Sequence, residues 1–192
     1  MRELVETDSS ICLALFNEGL TSYEMPKKAI DLFFQIPNPD EVIYTAYFTA
    51  CAKLGNNEAL VLGKKVFQQL PNKYRQLNDV LISVFDMFIK CNDIESAESL
   101  FPRLKKSVTS YGSLMKMYNI NDQPEKTFAL YEKMKKENID ANDVIFILLI
   151  NACTQIGNRS ICEWIISQIP PNVLNNSLIQ SSLIDMWVSE LT

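Results

Sequence analysis

Five cysteines, Cys12, Cys51, Cys91, Cys153 and Cys162, are the residues of this 192-residue chain best suited to nucleophilic, redox or metal chemistry. Their spacing supports none of it. No pair has the CxxC separation, and the chain has no histidine to complete a zinc shell, act as a base near neutral pH or build a serine triad. Neither the phosphate-binding loop nor the dinucleotide fingerprint occurs. All but Cys91 fall on apolar helix stripes as small fillers, and an odd count without close pairing points to a reducing compartment rather than a disulfide framework. These absences predict a non-enzymatic chain with no cofactor and no metal.

The elements that carry these residues are set by one apolar spacing, i, i+3, i+4, i+7, which makes a stripe along one side of a helix. Five quartets begin with a small residue: Ala29, Leu32, Phe33, Ile36; Gly63, Val66, Phe67, Leu70; Ala97, Leu100, Phe101, Leu104; Thr127, Leu130, Tyr131, Met134; and Cys162, Ile165, Ile166, Ile169. Six interleave with them: Cys12, Leu15, Phe16, Gly19; Tyr44, Tyr47, Phe48, Cys51; Leu81, Val84, Phe85, Phe88; Tyr111, Leu114, Met115, Tyr118; Phe146, Leu149, Ile150, Cys153; and Gln180, Leu183, Ile184, Trp187. The third members of the first set lie 34, 34, 30 and 35 residues apart, a period that indicates a helical solenoid. Within hairpins the quartets start 17, 19, 16, 16 and 16 residues apart, and the longest turn is expected at Gly55 to Glu58.

Punctuation agrees. Pro37, Pro71 and Pro170 follow the last stripe residue of second helices, Gly55 and Gly157 supply a left-handed residue after first helices, and Asp93 and Asp122 stand where they can cap the helix that follows. The fold expected is all-α, a right-handed superhelical α-solenoid of helix-turn-helix repeats at about 8–40, 41–77, 78–107, 108–142 and 143–176, with a partial repeat at 177–192. No segment is apolar enough to span a bilayer, so no membrane association is expected.

The segment VTSYGSLMKMYNINDQPEKTFALYEKMKKENIDAN, Val108 to Asn142, resembles a pentatricopeptide repeat. Bulky Met115 and Met134, with Phe48, Phe85, Ile150, Leu70, Leu104 and Ile169 elsewhere, stand where a tetratricopeptide repeat prefers small residues. DEVIYTAYFTACAKLG at 40–55, DVIFILLINACTQIG at 143–157 and DMFIKCNDIESAESLF at 86–101 are similar to the mixed-length repeats of the family's editing-factor branch. That branch often ends in a zinc deaminase domain with HxE and PCxxC elements, which this chain lacks.

The resemblance implies sequence-selective binding of single-stranded RNA, one base per repeat, and no DNA. It also implies an organelle, the mitochondrion or another; no targeting peptide is expected here, because Glu3, Glu6 and Asp8 stand where a transit peptide is poor in acids. Carried over from the family pattern, the base-facing fifth places are Thr45, Ile82, Gly112, Ile147 and Ser181, and the closing places include Leu77 and Asn142. Val42 and Val144 match its stacking places. Thr45 and Asn142 suit a base edge, or alternatively a helix cap or solvated turn. Lys105, Lys106, Lys133, Lys135 and Lys136 could neutralise phosphates or line a solvated helix face.

Eighteen basic and 23 acidic residues give a net charge of -5, so RNA binding needs a locally basic groove. The alternative is a protein-interaction scaffold. The last quartet has no second helix, which would leave Leu183, Ile184 and Trp187 partly bare. That predicts a longer parent protein or a protein partner over the C-terminal helix.

Overall fold

The computed structural model describes residues 24–189, in which every regular element is helical. The order is α1 (Glu24–Phe33), α2 (Glu41–Leu54), α3 (Asn57–Gln69), α4 (Asn78–Lys90), α5 (Ile94–Leu100), a 3-10 turn (Phe101–Arg103), α6 (Val108–Ile120), α7 (Pro124–Lys136), α8 (Asp143–Ile156), α9 (Arg159–Gln168), α10 (Pro171–Leu174) and α11 (Ser177–Ser189). No helix among the described residues is long and apolar enough to cross a membrane. The quartet at Cys12 lies outside the described residues.

The chain forms two compact units, Met1–Lys105 and Lys106–Thr192. In the first, α2 and α4 lie side by side as one layer; α3 rests on both, with α1 against α2 and α5 against α4. In the second, α6, α8 and α11 form a layer, α7 rests on α6 and α8, and α9 rests on α8. Each helix is stable because its stripe is covered by a neighbour, a fully hidden Leu or Phe being worth roughly 1.5–3 kcal/mol.

From α2 to α9 the buried stripes largely follow the expected quartets; in α11 the buried residues are Ile179 and Met186, not the expected Gln180, Leu183, Ile184 and Trp187, and in α1 they include Ile30 and Phe33, with Ala29, Leu32 and Ile36 only half-buried. In the first unit Tyr47, Phe48 and Cys51 of α2 and Val84, Phe85 and Phe88 of α4 are buried, and the rings step edge-on from Phe48 to Phe67 (6.4 Å) and on to Phe88 (6.3 Å). In the second, Leu114 and Met115 of α6, Leu130, Tyr131 and Met134 of α7, and Phe146, Leu149 and Ile150 of α8 are buried. A polar knot crosses that core: Thr127 Oγ1 donates to Asn119 Oδ1 (2.6 Å), and Asn119 Nδ2 donates to the Leu148 carbonyl (2.8 Å). It satisfies buried polar groups while tying α6, α7 and α8 together.

The turns inside the hairpins are more regular than the sequence implied. In the four hairpins α2/α3, α4/α5, α6/α7 and α8/α9 the second helix starts 16 residues after the first. The fifteenth residue takes a left-handed conformation each time: Gly55 (φ 57°), Asn92 (58°), Asp122 (53°) and Gly157 (63°). The next residue caps the following helix through Asn56, Asp93 and Asn158; at Gln123 there is no side-chain cap, and Pro124 opens α7 instead. Two expectations are corrected. Asp122 supplies the left-handed turn, not the cap. No longer turn exists at Gly55 to Glu58: the α3 quartet simply begins one helical turn later on nearly the same face, and the variation falls between hairpins.

Candidate nucleic-acid interface

The first-layer helices α2, α4, α6, α8 and α11 begin alike, so their side chains can be compared place by place. Their third residues, Ile43, Val80, Ser110, Ile145 and Ile179, are all buried. Their second residues, Val42, Asp79, Thr109, Val144 and Leu178, are all exposed. Side chains one residue apart on a helix point about 100° apart, so the inward third place turns the second outward. Caps fix these entries: Asp40 accepts from Ile43 N–H (2.9 Å), Ser107 from Ser110 N–H (3.2 Å) and Asn142 from Ile145 N–H (3.2 Å).

Val42 (48% exposed), Val144 (56%) and Leu178 (63%) thus present aliphatic side chains to water at the starts of α2, α8 and α11. An exposed aliphatic side chain in a repeated place, contributing nothing to the core, is a flat apolar surface on which a base ring can rest. Within the second unit Thr109, Val144 and Leu178 stand at equivalent places on three helices of one layer.

The fifth places are less uniform. Thr45 is half-buried, and its hydroxyl proton is committed to the Glu41 carbonyl (2.9 Å), which leaves it an acceptor rather than the donor expected. Gly112 is buried, and a Cβ there would meet Ile145 Cδ1 at an ordinary contact distance of 3.4 Å, so the place faces α8 and has no side-chain group to offer a ligand. Ile82 is exposed and Ile147 half-buried. Ser181 is exposed on α11. Asn142 does cap α8, yet it is exposed and its amide N–H2 has no partner among the described residues, so the cap and a base contact are compatible.

Sequence reasoning missed Asn176, which stands before α11 as Asn142 stands before α8. Its Oδ1 accepts from Leu178 N–H (2.9 Å) and its Nδ2 donates to the Asp143 carboxylate (2.6 Å), joining the starts of α8 and α11. It also missed Leu178, and Lys53 and Lys90, the thirteenth residues of α2 and α4. Counting from each helix start, rather than from each stripe, would have exposed all four.

The lysines singled out from sequence do not serve this face. Lys133, Lys135 and Lys136 sit in the last turn of α7, in the other layer, where cations complement the carbonyl end of a helix. Lys135 also reaches Glu132 (3.2 Å) and Gln168 (3.4 Å). Lys106 is half-buried, and burial pulls its ammonium below its usual range despite nearby Glu137. The first-layer helices carry Lys53, Lys90 and Lys116 against Glu41, Asp79, Asp86, Asp143 and Asp185, so they are not basic.

Residues 109–139 match the family model of the PPR repeat. That segment contains α6 and α7. The chain is similar to pentatricopeptide repeat-containing proteins of Arabidopsis thaliana: a mitochondrial one, 28% identical over 166 residues, which covers 82% of this chain and 29% of the relative; and a chloroplastic one, 29% identical over 147 residues, covering 72% and 19%. The chain thus spans less than a third of the length of these relatives. The crystal structure of the pentatricopeptide repeat protein PPR10 in complex with an 18-nt psaJ RNA element aligns with a TM-score of 0.58 at 16% identity, covering 92% of this chain and 29% of that one. This likeness establishes the α-solenoid fold on which the PPR repeat here is built.

Proposed function

We propose that the chain is a non-catalytic, sequence-selective binder of single-stranded RNA, acting in organellar RNA processing or modification. The observation that carries this reading is the exposed aliphatic second residue, Val42 in the first unit and Val144 and Leu178 in the second, presented outward in each unit while the third residue beside it is buried. Organellar names among the relatives and the RNA bound by PPR10 point the same way. On this reading the repeats run 41–77, 78–107, 108–142 and 143–176, with a partial one from 177, of the mixed-length kind found in editing factors. Bases stack against Val42, Val144 and Leu178, and Asn142 and Ser181 supply polar contacts. No DNA is bound, and any chemistry on the RNA is done by a recruited catalyst.

The acidic excess on the first-layer helices and the net charge of -5 support weak binding by this chain alone. They also favour the second reading, a protein-interaction scaffold, for which the open flank of α11 is the natural contact: Ile184 is 61% exposed and Trp187 is partly bare. Selection from a randomised single-stranded RNA pool at two salt concentrations separates the two. Enriched sequences whose affinity falls with salt support RNA binding; no enrichment and no salt dependence leave the scaffold.

A further inference from the structure

The second layer of the first unit contains a cavity of about 420 Å³, inside the range of roughly 300–1,000 Å³ typical of ligand pockets. Phe67 of α3, Phe88 of α4 and Leu100 of α5 form its apolar floor, and Gln68, Ser99 and Arg103 stand on its rim. The cavity exists because α5 is short. Pro102 stands two residues past its end and the chain closes in a 3-10 turn, so a 7-residue helix lies beside the 13-residue α3.

The second unit builds the equivalent corner differently. Two residues after the first stripe residue, α5 has Ser99 and α9 has Trp164. The Trp164 ring reaches α7, with the Lys135 ammonium 5.9 Å from its centre. In the first unit a hydroxymethyl group stands where that indole would be, and Phe67 beneath it is only half-buried.

The rim is charged at one end. Arg75 donates to the carbonyls of Leu70 (2.7 Å) and Gln68, and Arg103 donates to the carbonyl of Arg75 (2.8 Å). Neither guanidinium meets a carboxylate among the described residues. Lys64 on the same wall is already paired with Asp93 at 2.7 Å, and Glu95 stands at the far end of α5. An aromatic floor beside the Arg103 guanidinium, which has no acidic partner among the described residues, is complementary to an aromatic side chain followed by an acid.

We propose that this groove docks a segment of a partner protein, which lays an aromatic side chain over Phe67 and sets a carboxylate against Arg103. The site lies in the layer opposite the proposed RNA face and does not depend on it.

The test selects a library of randomised twelve-residue peptides on the full chain, with counter-selection on Ser99→Trp. The expected peptides carry an aromatic residue with Asp or Glu close by. They bind Ser99→Trp about thirtyfold more weakly, the scale of a lost anchor residue, and Arg103→Gln about threefold more weakly, the scale of an exposed ion pair. Ser99→Leu, a smaller plug, gives an intermediate loss and stands in for Ser99→Trp if a thermal melt shows that variant unfolded. Failure to enrich peptides that distinguish the chain from its plugged variants overturns the proposal. So does enrichment of basic peptides, or displacement of the selected peptides by randomised single-stranded RNA.

Discussion

Replacing Asn119 with alanine tests whether the polar knot of the second unit stabilises the packing that sets α6 and α8 in line. The side chain is buried and makes two hydrogen bonds, to the Leu148 carbonyl at 2.8 Å and from Thr127 at 2.6 Å. Each is worth about 1 kcal/mol net. The Thr127 hydroxyl keeps a fallback in the Met115 carbonyl at 3.3 Å, and Leu148 lies within α8, so the orphaning penalty is small and the sum is about 2 kcal/mol. Asn119→Asp should cost more, because a buried carboxylate then faces a carbonyl in place of the donated N–H. Both tryptophans, Trp164 and Trp187, lie in the second unit, so urea unfolding followed by tryptophan fluorescence reports on the right half of the chain. With a slope of roughly 1–3 kcal/mol per molar urea, Asn119→Ala should lower the midpoint by on the order of 1 M. A loss below about 0.5 kcal/mol, the range of an ordinary surface change, or an Asn119→Asp variant as stable as wild type, would refute the assignment.

Other perturbations follow from the same coordinates. Gly63→Ala places a Cβ 2.1 Å from the Sδ of buried Met87 and should destabilise the first unit by about 1–3 kcal/mol, with a smaller residue at Met87 restoring most of it in a double-mutant cycle. Phe101 is buried, and Phe101→Ala should cost about 3–5 kcal/mol by chemical denaturation followed by circular dichroism; near-neutral behaviour would displace the stripe register. Burial pushes the Cys51 thiol up from 9.0 to about 12, so below pH 9 it is protonated in folded and unfolded chains alike, and above it the unfolded chain ionises first. Stability is therefore lost as pH rises from about 9 towards 12, and at pH 10 wild type should have lost about 1.4 kcal/mol more than Cys51→Ala, one pH unit's worth. Equal losses in the two proteins would contradict that shift.

Much of the fold was legible because a buried stripe needs three or four apolar residues per two turns, and quartets such as Tyr44, Tyr47, Phe48 and Cys51 leave no other secondary structure that hides them together. Gly55 and Gly157 were readable as left-handed turn residues. Asn92 and Asp122 hold the same conformation but were hidden, since Asn and Asp suit caps and turns equally. The three-residue offset of the α3 quartet was misread as a longer turn, because a stripe repeats each helical turn and its starting point is not unique. At the candidate interface the exposure of Val42 and Val144 follows from their place beside a buried third residue, whereas the burial of Gly112, with Ile145 at van der Waals distance from where a Cβ would stand, was not readable. Such a contact joins residues 33 apart in the sequence and leaves no local pattern. For the lysines of α7 the sequence left phosphate contact and a solvated helix face open, because their charge is visible there but the layer they belong to is not.

Ultraviolet crosslinking of the chain to a selected single-stranded RNA, followed by mass spectrometry of the crosslinked peptides, tests the central claim most directly. The account predicts crosslinks at the starts of the first-layer helices, on peptides containing Val42, Val144 and Leu178, lost when these residues are changed to aspartate. Crosslinks concentrated on α3, α7 and α9, or unchanged by those substitutions, would contradict it.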